Sequence, residues 1–180
     1  DRSGGMYGAR LWWLLRWLGH AEVAVLDGAW PGPWTTELPP QPTPGNWQAA
    51  APLGGTIDAD ALAAQLGRVR LIDARAGERF RGEVEPLDKQ AGHIPGASNR
   101  FFRNNLGPDE RFKPAAELRA EFEALLAPFS DDDVIHQCGS GVTACHNQLA
   151  MVHAGLAPGR LYPGSWSEWS ADPSRPIAQG

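Results

Sequence analysis

Cys138 stands between a short β-branched run, "VIHQ" (134–137), and a helical pattern, "VTACHNQLAMVHAGL" (142–156). Two glycines, Gly139 and Gly141, flank Ser140 in the turn itself. In open parallel sheets, ligands bind at the carboxyl ends of the strands. A helix start presents N–H groups without intrahelical partners and the positive end of the helix dipole. A thiolate placed at such a junction is stabilised and becomes a nucleophile. Gly139 and Gly141 let the backbone curl, so that the N–H groups of Gly139, Ser140, Gly141, Val142 and Thr143 face one point. That cradle suits a thiolate, a persulfide or a bound oxyanion. Thr143 is also placed to cap the helix.

Other readings of the same stretch compete with this one. Cys138 can be a buried structural thiol beside a glycine turn. Cys145, two turns into the helix beside Ala144 and Leu149, reads as a small core residue. A zinc site from His136, Cys138, Cys145 and His146 lacks the paired short spacings of structural sites. Cysteine phosphatases use a Cys-x5-Arg loop, and the arginine position here is Ala144, which argues against phosphoryl transfer. His136 reads as a core residue that could tune the thiol, and His93 as a structural hydrogen-bonder. His20, His146 and His153 read as unremarkable helix and loop residues, and Trp166 and Trp169 as packing.

The elements that must carry this loop alternate between strand and helix. Residues 69–75, 134–137 and 160–166 read as strands, with another short one after the turn "GHIPGAS" (92–98). Residues 56–66, 114–129 and 142–156 read as helices. Leu118, Phe122 and Leu125 share one apolar face of the second. Alternation of this kind predicts an α/β fold: an open, mostly parallel sheet with helices on both faces. Upstream, residues 6–18 read as an amphipathic helix with Gly19 as its C-cap, and 22–28 as a strand. Six prolines between residues 30 and 47 predict an extended linker.

The chain repeats itself at a spacing of 136 residues. Gly5 falls on Gly141, Gly19 on Gly155, Gly28 on Gly164 and Trp30 on Trp166. A period of that size indicates tandem domains rather than a solenoid. Residues 1–34 then read as the tail of a first domain, 35–55 as the linker and 56–180 as the second, complete domain. A preceding N-terminal domain is expected to complete the molecule. At the Cys138 position the first copy has Arg2, so it carries no nucleophile there.

With 180 residues, 42% hydrophobic and 21% charged, the chain fits a globular protein rather than a disordered one. Net charge −5 and the lack of a Lys/Arg block argue against nucleic acid as a partner. The apolar stretch near Leu11–Leu18 is too short to span a membrane. Two cysteines cannot make a disulfide framework. Together with the absence of a visible signal sequence, this leads us to expect a reducing, cytoplasmic location.

"CGSGVTA" (138–144), "DARAGERFRGEVEP" (73–86), "GHIPGA" (92–97) and "GSWSEW" (164–169) resemble signatures of the two-domain rhodanese-like sulfurtransferases. "GARLWWLLRWLGH…VAVLDG" (8–28) is similar to the end of their N-terminal domain. The active loop resembles the mercaptopyruvate type; thiosulfate-preferring members carry a basic pair where this chain has Gly139 and Ser140. The resemblance implies that Cys138 takes sulfur from 3-mercaptopyruvate as a persulfide. Cys138 then passes it to a thiol acceptor such as thioredoxin, or to cyanide, without a metal or organic cofactor. Arg79 matches the arginine that binds the substrate carboxylate, and Ser140 the serine that assists the thiol or binds substrate. Arg75, beside Asp73, is expected to fix the loop or, secondarily, to touch ligand. The family's second arginine is missing; Leu87-Asp88-Lys89 stand in that neighbourhood, and Lys89 is the available cation. Thiosulfate as donor, and a non-catalytic binding or sulfur-carrier domain, remain the alternatives.

Overall fold

The computed structural model describes residues 1–30, 32–33, 35–41, 43–130 and 133–180. Pro31, Trp34, Pro42, Asp131 and Asp132 lie outside them, the first three in the proline-rich stretch. Among the described residues, five parallel strands form one sheet in the order β1-β5-β4-β2-β3. They are β1 (Gly55–Thr56), β2 (Arg70–Asp73), β3 (Ser98–Asn99), β4 (Val134–Gln137) and β5 (Arg160–Leu161). The register of the central pair sets Leu71 beside Ile135, Ile72 beside His136 and Asp73 beside Gln137.

Strand side chains alternate between faces, and the two faces bury different helices. Leu71 and Ile135 pack with Ile57, Leu62, Ile94, Tyr162, Trp166 and Trp169, which brings α2 (Ala59–Ala63) and α6 (Ser165–Ala171) to one side. Ile72 and Val134 pack with Leu118, Phe122, Leu126 and Met151, from α4 (Ala115–Leu126) and α5 (Thr143–His153) on the other. The open parallel sheet with helices on both faces is therefore as the alternation predicts. Pro114 precedes the first turn of α4, where its missing N–H costs nothing. Leu118, Phe122 and Leu126 are the buried residues of that helix, and Leu125, partly buried, packs against the same cluster. Asp58 caps α2 by accepting from the Ala61 N–H at 2.8 Å. Short elements escaped the sequence reading: α3 (Gly77–Phe80), a 3₁₀ turn (Phe102–Asn105) and α6, whose start had been assigned to a strand and turn over 160–166.

The first thirty residues lie on the same body. Helix α1 (Met6–Trp17) packs along α5, with Ala9, Trp12 and Trp13 buried. Residues 22–28 are not a strand, because no neighbouring strand among the described residues offers a ladder. Their period-two pattern is still used: Val23 and Val25 pack onto the cluster that holds Trp12, Trp13 and Cys145. Beyond Gly19 the chain leaves α1 and returns to it. The Ala50 N–H donates to the Leu18 carbonyl at 2.9 Å and the Leu53 N–H to the Arg16 carbonyl at 3.0 Å. Between them the described residues form no helix or strand. The glycine pairs at spacing 136 agree in part: Gly5 and Gly141, and Gly19 and Gly155, all have positive φ, whereas Gly164, unlike Gly28, does not.

Candidate active site

The loop from Cys138 to Thr143 leaves the carboxyl end of β4 and enters α5. Gly141 has φ +76, and a Cβ there would lie 2.7 Å from the Pro163 carbonyl oxygen. Only glycine fits that curl without displacing backbone. Among the described residues, no group accepts a hydrogen bond from the N–H groups of Gly139, Ser140, Gly141, Val142 or Thr143. Five successive donors are thus left unpaired, an arrangement suited to negative charge. Thr143 is the first helical residue and Val142 holds the cap position, with no side-chain cap. The capping role expected of Thr143 is therefore corrected: one position too far along, it offers its own N–H instead. The Ser140 side chain is exposed and makes no hydrogen bond among the described residues, so it is free for a ligand.

Cys138 is buried, 2% exposed, at the floor of the loop. Its N–H donates to Ser165 Oγ at 3.1 Å, and the Ser165 hydroxyl donates in turn to the Tyr162 carbonyl at 2.9 Å. Ser165 sits at φ +54, an uncommon conformation for a residue with a side chain. Its neighbours reinforce the tie, since the Trp166 and Ser167 N–H groups donate to the carbonyls of Cys138 and Gly139. In the sequence this serine lies within "GSWSEW", where nothing marks it for a role. Ser165→Ala strands the buried Cys138 N–H, which costs about 1–2 kcal/mol. We expect a Tm lower by roughly 4 °C in a thermal melt. Ser165→Gly should lose less than the alanine variant, because glycine removes the positive-φ strain.

Arg79 lies across the loop mouth. Its Nη1 and Nη2 are 3.7 and 3.8 Å from the Cβ position of Gly139. Nη2 is paired with Glu85 at 2.6 Å and Asp88 at 3.5 Å, while Nη1 has no acceptor among the described residues. Arg79 therefore has one anchored and one open edge, which suits a guanidinium that must take an anion. Burial alone would raise the Glu85 carboxyl, but the Arg79 hydrogen bond and the Leu87 and Asp88 N–H groups outweigh it and hold Glu85 below the usual range. Glu85 and Asp88 are the partners that sequence reading missed.

Arg75 is 3% exposed and committed inside the fold. It pairs with Asp73 at 2.7 Å, donates to the Gly92 carbonyl at 2.7 Å, reaches Glu85 at 3.4 Å and lies 4.7 Å over the Trp166 ring. That geometry fits fixing the strand end; for direct ligand contact, the other role read for Arg75, no edge is left open, since Nε, Nη1 and Nη2 all have acceptors. Lys89 is exposed and makes no ion pair or hydrogen bond among the described residues. The structure does not join it to the cysteine loop.

Behind the loop lie two buried neutral histidines. His136 Nε2 is 3.2 Å from Met151 Sδ, and burial lowers its pKa to about 3. His146 meets the Gly4 carbonyl at 3.0 Å and Asn105 Nδ2 at 3.2 Å; burial, partly offset by the Gly4 bond, lowers it to about 4. His93 Nδ1 meets the Phe80 carbonyl at 2.8 Å, the structural role expected of it. Below pH 6.5 the unfolded chain takes up protons at His136 and His146 before the folded one does, so stability falls as pH falls toward their folded values. Each should cost about 2 kcal/mol between pH 7.5 and pH 5, read from urea unfolding at the two pH values. Lowered carboxylates such as Glu85 and Glu121 add their loss only below about 4.5.

The sequence model of the rhodanese-like domain matches residues 58–172. A probable 3-mercaptopyruvate sulfurtransferase of Pseudomonas aeruginosa is 50% identical over 188 residues, covering all of this chain and 66% of that protein. A putative thiosulfate sulfurtransferase of Mycobacterium tuberculosis is 40% identical over 211 residues, covering all of this chain and 64% of the relative. The solved 3-mercaptopyruvate sulfurtransferase of Leishmania major superposes with a TM-score of 0.72 at 30% identity, covering 93% of this chain and 49% of that one. The chain thus spans just under two thirds of the length of the curated relatives it matches. The match extends from the cap of α2 through α6, across β2 to β5 and the cysteine loop, and it makes the chain a member of the rhodanese-like domain family.

Proposed function

We propose that the chain is the catalytic part of a sulfurtransferase that moves sulfur from 3-mercaptopyruvate through a persulfide on Cys138. The observation that carries this reading is the run of five unpaired N–H groups that directly follows the cysteine, with the open edge of Arg79 beside Gly139. The Cys138 thiolate attacks the donor sulfur. An S–S bond forms, the C–S bond breaks, and the released pyruvate enolate takes a proton. An acceptor thiolate, or cyanide, then attacks the outer sulfur and returns Cys138 as thiolate, a ping-pong sequence. The cradle holds the negative sulfur in both half-reactions. Arg79 pairs with the donor carboxylate through the edge that Glu85 leaves open. Ser140, at the loop surface, is placed to hydrogen-bond donor or thiol.

Thiosulfate is the second donor considered. The name of the mycobacterial relative favours it, and the loop with Gly139 and Ser140 in place of two basic residues disfavours it. A thioredoxin-like thiol is the proposed acceptor. The relatives' greater length supports a further, N-terminal domain as the partner that walls the site. No described helix is long and apolar enough to cross a membrane. Incubation with each donor, followed by intact-mass measurement and peptide mapping, tests the reading. We expect one added sulfur on Cys138 from 3-mercaptopyruvate, released by a small thiol. Sulfur added only from thiosulfate would transfer the assignment to that donor. Sulfur added from neither, in the full-length protein, would leave a binding domain.

A further inference from the structure

The Gly141 carbonyl, at the tightest point of the cysteine loop, accepts from two donors. Arg10 Nη1 reaches it at 3.2 Å from α1, and the Cys145 thiol at 3.3 Å from α5. Arg10 Nη1 also lies 3.6 Å from Cys145 Sγ, so one guanidinium touches both. The two donors differ in strength. A thiol is a weak neutral donor, and burial pushes Cys145 up to about 12, so it stays a thiol. Arginine is always charged and makes the stronger, charge-assisted bond.

A trans peptide is planar, with its C=O and N–H opposed. Turning the Gly141 carbonyl toward α1 therefore turns the Val142 N–H the other way, among the unpaired donors of the cradle. Gly141 has φ +76 and lies so close to Pro163 that a Cβ would meet its carbonyl oxygen at 2.7 Å, and the side-chain donors that hold its own carbonyl are Arg10 and Cys145. Arg10 is itself held in place. Ala9, Trp12 and Trp13 around it are buried, and its guanidinium lies 5.2 Å over the Trp13 ring.

We propose that Arg10 is a positioning residue for the reaction: from α1 it fixes the Gly141–Val142 peptide so that the loop N–H groups converge on the sulfur of Cys138. The proposal rests on the sulfur-transfer reading for its role in turnover. On this view α1 is a working part of the cysteine loop, supplied by a segment that precedes the matched family domain.

The test uses the full chain with Arg10→Met, Arg10→Lys and Cys145→Ala. Two rates are measured: donor turnover, and alkylation of Cys138 by iodoacetamide at pH 7 located by peptide mapping. For Arg10→Met we expect kcat about 10-fold lower with KM unchanged, the signature of an interaction used in the transition state. Alkylation should slow by about the same factor, because the loop that presents the Cys138 sulfur is loosened. Arg10→Lys should restore most of both rates, and Cys145→Ala should leave both within about twofold. Wild-type rates in Arg10→Met would overturn the proposal. So would losses that Arg10→Lys fails to restore and that follow a fall in Tm, since those mark a packing role. If Arg10→Met does not fold, Arg10→Gln, which keeps a neutral donor, must fall between lysine and loss of function. If no donor loads sulfur onto the wild type, the sulfur-transfer reading falls, and the alkylation series still decides whether Arg10 sets the loop.

Discussion

Replacing Cys138 by serine is expected to abolish turnover with either donor, by on the order of 10⁴-fold or more. A hydroxyl at the same floor position keeps the N–H contact to Ser165 and the packing of the loop, so the fold should persist. What is lost is the sulfur that forms the S–S bond to the donor. Circular dichroism and Tm should match wild type, and donor treatment should add no mass. The paired readout matters because Cys138 is almost wholly buried and its backbone is tied at both N–H and carbonyl. A variant that lost activity by losing the loop would show it in the melt. Persulfide on any residue other than Cys138 in the serine variant would refute its place as the nucleophile.

The second large effect is expected at Arg79. Arg79→Leu should lower kcat/KM for a carboxylate donor by about 100-fold, the value of a charge-assisted pair of some 3 kcal/mol. Arg79→Lys should recover only part, since a lysine supplies a point charge and not a fork. Glu85 keeps Arg75 as a partner in both variants, at 3.4 Å, so its buried carboxylate is not left alone. The loss should appear mainly in KM if Arg79 holds the donor equally before and during reaction. Alkylation of Cys138 should change little, because Arg79 stands at the mouth rather than in the cradle. An Arg79→Leu enzyme with unchanged KM and kcat would remove the arginine from donor binding.

Which of these residues could be read in the sequence follows from how far their partners lie along the chain. The cysteine loop was legible because its chemistry is local: thiol, two glycines and a helix start occupy six consecutive positions. The sheet was legible because Leu71, Ile72, Val134 and Ile135 sit in short apolar runs between helical patterns. Arg10 was not, since its contact with Gly141 spans 131 positions and nothing on α1 marks that arginine from Arg16. Ser165 was hidden by a seven-residue helix, too short to show a period, that begins in a conformation serine seldom takes. Residues 22–28 were misread for a different reason. Alternation of Val23 and Val25 reports a half-buried extended chain, and pairing depends on a neighbour that the segment itself cannot encode.

The proline-rich excursion after Gly19 begins and ends at the same place, with Ala50 and Leu53 bonded back to the last turn of α1. Its two anchor points are set by packing, not by the number of residues between them. Closing such a loop grows costlier only with the logarithm of its length, about 0.6 kcal/mol for each doubling. Lineages can therefore lengthen or shorten this strap at almost no penalty while α1 and its arginine stay where they are. The alignments to the pseudomonad and mycobacterial relatives run to 188 and 211 positions against the 180 residues here, and the strap is where added length is cheapest to carry.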